Sequence, residues 1–489
     1  MYVNLCDERI RSPVYNELSA FVRMVLYACV AGAPNLSTGA TPARMASIFP
    51  FKALRYNPAK VNPEDVVTQP YDKISPEMQQ KYYDRSPYNL VRVILGKSAP
   101  GDTDADNVYT RAATDLAAWR AKGILAEETE PAVYAYSQTY TVPGSAEVRE
   151  RRGFIALGQL YDYAEQVIFR HEQTLSKPKS DRLNLFKATR AYCEQIYLLY
   201  SDPTFAADNL LFDGSTPEVE VTDEYGVIHR LWKIADPKKI TQLCAEMADK
   251  KLIIADGHHR YETSVAYARE RAAELGKEMA PPEPARGKLP QPAFPEAAMM
   301  MTFVNMDAPG ITILPTHRVV FGINNFNPSE FLGRVTRFFD VKKLPVNDPT
   351  PLMDQLAAAT QPKLVSMIAV TREGKYLLTS KKAAVNTALG DISKLQRQLD
   401  VVQLHSLILE EILGLSQESV REQRNLRYLR NAQEAVDQVA SHKADIAFLI
   451  NPCTLEQLKD VAFALDVMPQ KSTDFYPKLL SGLAIYALD

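Results

Sequence analysis

The chain has 489 residues, with 56 Lys+Arg against 59 Asp+Glu, a formal net charge of −3, and 46% hydrophobic against 24% charged residues. This is the profile of a globular protein long enough for more than one core. It argues against a disordered chain, and against the global positive field of a non-specific nucleic-acid or anionic-membrane binder. No run approaches the roughly 20 apolar residues of a membrane span. The five cysteines, Cys6, Cys29, Cys193, Cys244 and Cys453, show neither a C-x-x-C pair nor metal-ligand spacing, so a reducing, cytoplasmic setting is expected.

In chain order, residues 1 to 44 end in the turn-forming "PNLSTGATPAR" just before Met45, a second plausible start. They are expected to be an extension outside the fold or a misassigned start. Residues 45 to 280 alternate strand-like and helix-like segments in an N-terminal α/β portion. "LVRVILG", Leu90 to Gly96, reads as a strand, and "VYTRAATDLAAWRAKG" reads as an amphipathic helix stopped at Gly123. "AVYAYSQTYTV" and "RGFIALGQL" read as strands paired across the polar "PGSAEVRER". "FRHEQTLSKPKSDR", Phe169 to Arg182, is expected to be a polar loop, because Pro178 disfavours helix at Lys177; a helix then opens at "DRLNLFKATRAY".

Leu252 to Ala255 has the length of a buried strand. Beyond Arg260, the apolar Tyr261, Val265, Ala268, Ala272 and Leu275 recur on one helical face that closes at Gly276. Residues 281 to 298 are a surface loop, since Pro281 to Pro295 holds six prolines in fifteen residues. Residues 299 to 489 form a C-terminal α/β portion packed on the first. There "SEFLGRVTRFFD" and "ISKLQRQLDVVQLHSLILEEILG" read as helices, "LVSMIAVTREGKYLLTSK" as a hairpin and "ADIAFLINP" as a strand. The fold class is mixed α/β, with an order too irregular for a doubly wound sheet.

The chemistry concentrates at "DGHHR", Asp256 to Arg260, on the turn from strand to helix. A helix N-terminus presents unpaired N–H groups and about half a positive charge, which favours phosphate. Gly257 lets backbone approach such a ligand, Arg260 can fork onto its oxygens, and Asp256 can bind a metal or act as a base. The bland alternative makes Asp256 a helix N-cap and the histidines surface groups. A second cluster holds His171, Glu172, Thr174, Lys177, Lys179, Asp181 and Arg182, a carboxylate and cations able to face one polyanion or simply a solvated charged surface. "LPTHR", Leu314 to Arg318, is a third. "MPQKSTDFYPK", Met468 to Lys478, is a fourth; its Lys471, Ser472 and Thr473 are phosphate-binding candidates without the glycine-rich lead-in of a Walker loop. For both, turn residues at a strand end are the plain alternative. Zinc on His258, His259 and His317 is disfavoured, because adjacent histidines in an extended segment face opposite ways and no H-x-x-x-H or H-E-x-x-H occurs. No G-x-S-x-G marks a serine hydrolase either.

Taken in order, "IFPFKALRYNP", "QPYDKIS", "SPYNLVRVILG", "HEQTLSKPKSDR", "IADGHHRYETS", "LPTHR" and "MPQKSTDFYPKLLSGL" resemble a bacterial family labelled domain of unknown function 1015 and described as ParB-like, from Met45 to the C-terminus. The resemblance implies a ParB/sulfiredoxin-like core in which a strand, a short G-x-x-R turn and a helix bind nucleotide phosphates. That superfamily includes CTP-using partition proteins, sulfiredoxins and free-serine kinases. By this likeness Gly257, His258, His259 and Arg260 bind phosphates. Glu172, Asp256 and His171 are the catalytic candidates, with Asp256 or Glu172 as base or magnesium ligand. Lys179 and Arg182 offset charge on the transferred group, and Lys471, Ser472 and Thr473 assist.

Sulfiredoxin chemistry needs a cysteine where His258 and His259 stand, and DNA partitioning lacks a helix-turn-helix and a basic bias. The expected activity is therefore a nucleotide-dependent small-molecule kinase using ATP or ADP and Mg2+ on a hydroxylated metabolite such as free serine, the acceptor suggested by the family's serine-biosynthesis neighbours. A non-catalytic nucleotide-binding regulator, or a DNA-partition-related protein, is the alternative. The family commonly carries an aromatic where this chain has Asp474, which weakens a detailed role for the "KST" segment.

Overall fold

The computed structural model describes residues 46 to 489, apart from Leu175, Asn347 and Pro362. The expected extension at residues 1 to 44 lies outside the described residues.

Among the described residues the chain builds a nine-stranded mixed sheet and a six-stranded sheet, with helices packed on them. In the first, the order is Ile168–Phe169, Leu252–Asp256, Ile196–Tyr200, Ala298–Asn305, Val148–Gln159, Val133–Thr141, Ile228–Ile234 and Val219–Thr222, with Ile48–Phe49 added beside Val148–Gln159. The expected pair around "PGSAEVRER" is present as an antiparallel hairpin, Tyr134 opposite Ile155 and Thr141 opposite Val148, so the strands extend further into the turn than the polar residues suggest. Ala298–Asn305, buried along its whole length, is central and runs parallel to Ile196–Tyr200. An apolar run such as "AMMMTFVN" can form the middle of a sheet because both of its faces are covered.

The second sheet runs Phe339–Lys343, Gly374–Ser380, Ser366–Thr371, Ile446–Ile450, His317–Val320 and Leu426–Leu429, all antiparallel. Side chains alternate across it, with Met367 and Ala369 joining a cluster with Phe331, Leu404 and Ile408, while Ile368 and Val370 join one with Leu356, Ala435 and Val439. Period-2 patterning with apolar residues on both faces calls for helices on both faces, and they are there. The C-terminal stretch then returns to the first portion. Asp474–Tyr476 pairs with Thr312–Leu314, Tyr486–Ala487 pairs with Ala191–Tyr192, and Phe475, Leu480 and Ala484 enter the first core.

Four segments differ from their sequence expectation. Leu90 to Gly96 contains the short helix Val91–Ile94 rather than a strand. The Asn89 side chain accepts from the Val91 N–H, and Val93 and Ile94 pack with Trp119 and Leu116; this tertiary packing overrides the β preference of branched residues. The helix expected only from Asp181 already begins at Ser176, as Ser176–Thr189, with Pro178 in the first turn, where its missing N–H leaves no bond unmade. The long C-terminal helix is broken into Lys394–Arg397, Asp400–Gln403 and the π-helical Leu404–Ile412. "SEFLGRVTRFFD" stops being helical at Val335, and Phe339 opens a strand. By contrast, Val108–Ala121 is the expected helix, capped by Asn107, and residues 281 to 294 carry neither helix nor strand.

Candidate functional site

The segments singled out by their chemistry converge on one cavity of about 720 Å³. Its wall takes Asp72 and Lys73 from the "QPYDK" segment, Glu172, the Asp256 to Arg260 turn, Thr316, and Lys471, Thr473, Asp474 and Lys478. The end of the second sheet closes it with Arg427 to Arg430.

The strand Leu252–Asp256 runs straight into the helix His258–Leu275 through Gly257, whose φ of 97° is in the left-handed region. A Cβ there would stand 3.1 Å from both Arg260 Nη2 and Ile196 Cδ1, so glycine suits the turn sterically as well as conformationally. The helix starts three residues earlier than its apolar stripe, and Tyr261 and Ala268 bury that stripe while Leu275 is exposed. No side chain caps the N-terminus. Asp256 is therefore not the N-cap; its carboxylate is held elsewhere.

Asp256 Oδ1 accepts from Lys478 Nζ at 2.8 Å and Oδ2 from Arg260 Nη2 at 3.0 Å. Burial would raise the carboxyl, but Lys478 and Arg260 hold it well below the usual carboxylate range. Lys478 also meets Asp474 at 3.2 Å, and Asp474 is clasped by the Arg430 guanidinium, with Nη2 at 2.9 Å, and approached by Lys73 at 3.9 Å. Asp474 is likewise held low: burial opposes its charge, and Lys478, Arg430 and Lys73 outweigh it.

Arg260, 4% exposed, points inward, giving Nη1 to the Gln195 carbonyl at 2.8 Å and lying 3.7 Å from Glu194. It holds the base of the turn. Arg182 is equally buried and lies outside the cavity wall, bonded to Asp181 at 2.6 Å and Ile94 O at 2.9 Å, 3.4 Å from Glu194 and stacked 4.0 Å over Tyr71. Lys179 also lies off the wall, on Glu262 at 3.0 Å and Thr174 at 3.3 Å. Ser472 gives its hydroxyl to Pro469 O at 2.5 Å, whereas its neighbours Lys471 and Thr473 line the cavity.

Glu172 accepts from the Lys471 N–H, and burial raises its carboxyl despite the nearby Lys471. Arg318, fully buried, donates from the other side to the Lys471 carbonyl at 3.1 Å. The Lys471 peptide is thus pinned by one residue from each sheet region, in a left-handed conformation with φ of 59°. Its ammonium enters no ion pair among the described residues.

His171 is buried behind the wall, with Nε2 2.8 Å from Thr473 Oγ1 and its ring 4.7 Å from that of His258. His258 is on the wall, and its buried Nε2 has no hydrogen-bond partner among the described residues. Burial pushes the His258 imidazole down to about 3, and lowers His171 well below its usual value. Both rings are therefore neutral at pH 7. His259 also lines the cavity and is lowered by burial.

No group of three or more His, Cys, Asp or Glu stands together as a metal site among the described residues. Both Asp256 oxygens already accept from cations, so a divalent ion here would depend on oxygens brought by a ligand. Lys73, Arg430, Asp474 and Lys478 were not assigned roles from the sequence. The quoted motifs contain all but Arg430, whose position on the second sheet has no local signal.

A mixed α/β protein with a cleft between two sheets, charged on both walls and floored by an uncapped helix N-terminus, is the class these features define. Over residues 48–402 the chain matches the family described as protein of unknown function (DUF1015), and it belongs to that family. No curated protein matches it. Among solved structures it is similar to a free serine kinase in complex with AMP, at 13% identity and TM-score 0.31, over 63% of this chain and 83% of that one. It is also similar to a conserved hypothetical protein from Pyrococcus furiosus (11%, 0.30, 64% and 89%). SbnI with a C-terminal truncation, from Staphylococcus aureus, gives 10%, 0.32, 67% and 85%. At these TM-scores the likenesses carry no functional argument.

Proposed function

We propose that the cleft binds a nucleotide by its phosphates and transfers the terminal phosphoryl group to a small hydroxylated metabolite. The observation that carries this reading is the N-terminus of His258–Leu275, with no side-chain cap, opening into a 720 Å³ cavity that also contains Lys471, whose ammonium enters no ion pair among the described residues. The N–H groups of the first turn receive phosphate oxygens, with His258 Nε2 as a neutral partner. Lys471 and Lys478 offset charge that develops on the transferred group. Arg260 and Arg182 act through Glu194 to hold the turn rather than to touch phosphate.

Glu172 and Asp256 differ in the direction of their shifts, and this divides their roles. The raised Glu172 is the better base. It takes the acceptor hydroxyl's proton as that oxygen bonds to phosphorus and the bond to the leaving phosphate breaks. Asp256 stays ionised and orients Lys478. Magnesium, when bound, would neutralise phosphate charge; of the carboxylates on the wall, Asp72, Glu172, Asp256 and Asp474, the last two are already engaged by cations, so Asp72 would hold it together with the ligand's own oxygens. The ParB/sulfiredoxin-like kinship of the turn belongs to the same proposal, as does a cytoplasmic setting. No helix among the described residues is long and apolar enough to cross a membrane.

A thermal-shift panel of ATP, ADP, CTP and GTP, with and without magnesium and L-serine, tests the reading. A ligand at about 100 times its Kd adds roughly 2.7 kcal/mol. No shift with any nucleotide would sink it. Glu172→Gln then separates a kinase from a regulatory nucleotide binder: a kinase loses rate at retained affinity, and a regulator has no rate to lose.

A further inference from the structure

A second cavity lies on the second sheet portion, lined by residues between 363 and 403, none of which lines the first cleft. It encloses about 590 Å³, and the cations Lys363, Lys382, Lys394 and Arg397 line it without any acidic residue on its wall. Lys382 opens the helix Lys382–Ala388, Lys394 and Arg397 bound the helix Lys394–Arg397, and Lys363 precedes the strand Ser366–Thr371. Three separate segments thus bring positive charge to one concavity. None of the four forms an ion pair among the described residues; Arg397 Nε reaches only the Ser393 carbonyl, at 3.4 Å.

A solvated basic face would spread its charges over convex surface, where each is independently hydrated. Cations gathered around a concave space repel one another, and an anion placed among them relieves that repulsion. The volume falls in the range of small-molecule sites. A second observation points the same way. Gln403, 4% exposed, lines the cavity, and its Nε2 is fixed on the Arg397 carbonyl at 2.7 Å, which leaves a buried Oε1 with no hydrogen-bond partner among the described residues. A buried acceptor left in this way calls for a donor, an O–H or N–H, from whatever fills the space.

We propose that this cavity binds a small molecule bearing two or more phosphate groups and at least one hydroxyl, as a site separate from the cleft. The four cations meet the phosphates, and Gln403 Oε1 accepts from the hydroxyl.

The test is hydrogen-exchange mass spectrometry on the full chain at about 0.15 M salt, where exposed charges farther apart than about 8 Å are screened. Inorganic tripolyphosphate and fructose bisphosphate are the probes. Both should slow exchange in peptides covering residues 380 to 403. In the Lys382→Ala/Arg397→Ala variant the midpoint should rise about tenfold or more. Both substitutions are at non-acidic positions with no ion pair to lose, so unchanged exchange elsewhere confirms an intact fold. Gln403→Met should weaken fructose bisphosphate while leaving tripolyphosphate as before. Lys471→Ala should leave protection at 380 to 403 untouched, so failure of the cleft reading and failure of this one are read separately. No slowing at 380 to 403, or an unchanged midpoint in the double variant, overturns the proposal. So does slowing that exists only at low salt, the mark of a diffuse counterion cloud. Equal effects of Gln403→Met on both probes overturn the hydroxyl contact.

Discussion

Lys478 ties two carboxylates together at the back of the cleft, 2.8 Å from Asp256 and 3.2 Å from Asp474, with a side chain 7% exposed. Lys478→Met keeps the stem's apolar packing and removes the charge. Taking one partner from a buried ion pair typically costs about 3–5 kcal/mol, because the other charge is left uncompensated. Here neither carboxylate is abandoned: Asp256 retains Arg260 at 3.0 Å, and Asp474 retains Arg430 at 2.9 Å. The loss should therefore fall near the lower end, about 3 kcal/mol at pH 7. Urea unfolding measures it. The direction of the pH dependence follows from the shifts. Asp256 and Asp474 are held below their unfolded values, so the stability they contribute is present above about pH 4 and is lost as pH falls toward their folded values. Without Lys478 the folded values rise, and the acid-dependent loss of stability that the wild type shows below pH 4 should shrink. In a double-mutant cycle, Lys478→Met with Asp256→Asn should give a coupling of about 1–3 kcal/mol. A single-variant loss below about 1 kcal/mol, together with additivity in the cycle, would refute the view that this charge chain organises the site.

Two further outcomes are expected. Lys471→Ala should change stability by no more than about 0.5 kcal/mol, since the ammonium enters no ion pair among the described residues, yet weaken nucleotide binding about tenfold or more in calorimetry. Equal affinity would remove Lys471 from the phosphate site. Asp400, raised to about 6 by burial although Asn451 hydrogen-bonds it, loses stability for the fold as it ionises. Its folded value lies above its unfolded one, so the penalty is absent below about pH 4, grows between pH 4 and 6, and is full above that. Asp400→Asn should stabilise the chain by about 1–2 kcal/mol at pH 8 and by little at pH 4, measured by denaturant midpoints at both.

The strand-to-helix turn at "DGHHR" is legible without coordinates, because a short apolar run, a glycine and a periodic stripe are all local signals. So are the hairpin Val133–Thr141 with Val148–Gln159 and the proline-rich loop. The misread segments share a cause. Leu90 to Gly96 and Ser176 to Ser180 have ambiguous local preferences, and packing against Trp119 in the first case and the first-turn position of Pro178 in the second settle the outcome.

The residue types of the site were thus present in the sequence, but their roles were not. Arg260 looks like a phosphate fork in "DGHHR" and turns out to face Glu194 and Gln195, while Lys478, over two hundred positions away in sequence, is the cation at Asp256. Local pattern determines where the chain turns and which faces are apolar, since those depend on neighbours a few residues apart. Which charge meets which carboxylate depends on how the C-terminal stretch returns across the first sheet, and that is decided by the burial of Phe475, Leu480 and Ala484 in a core assembled from the whole chain.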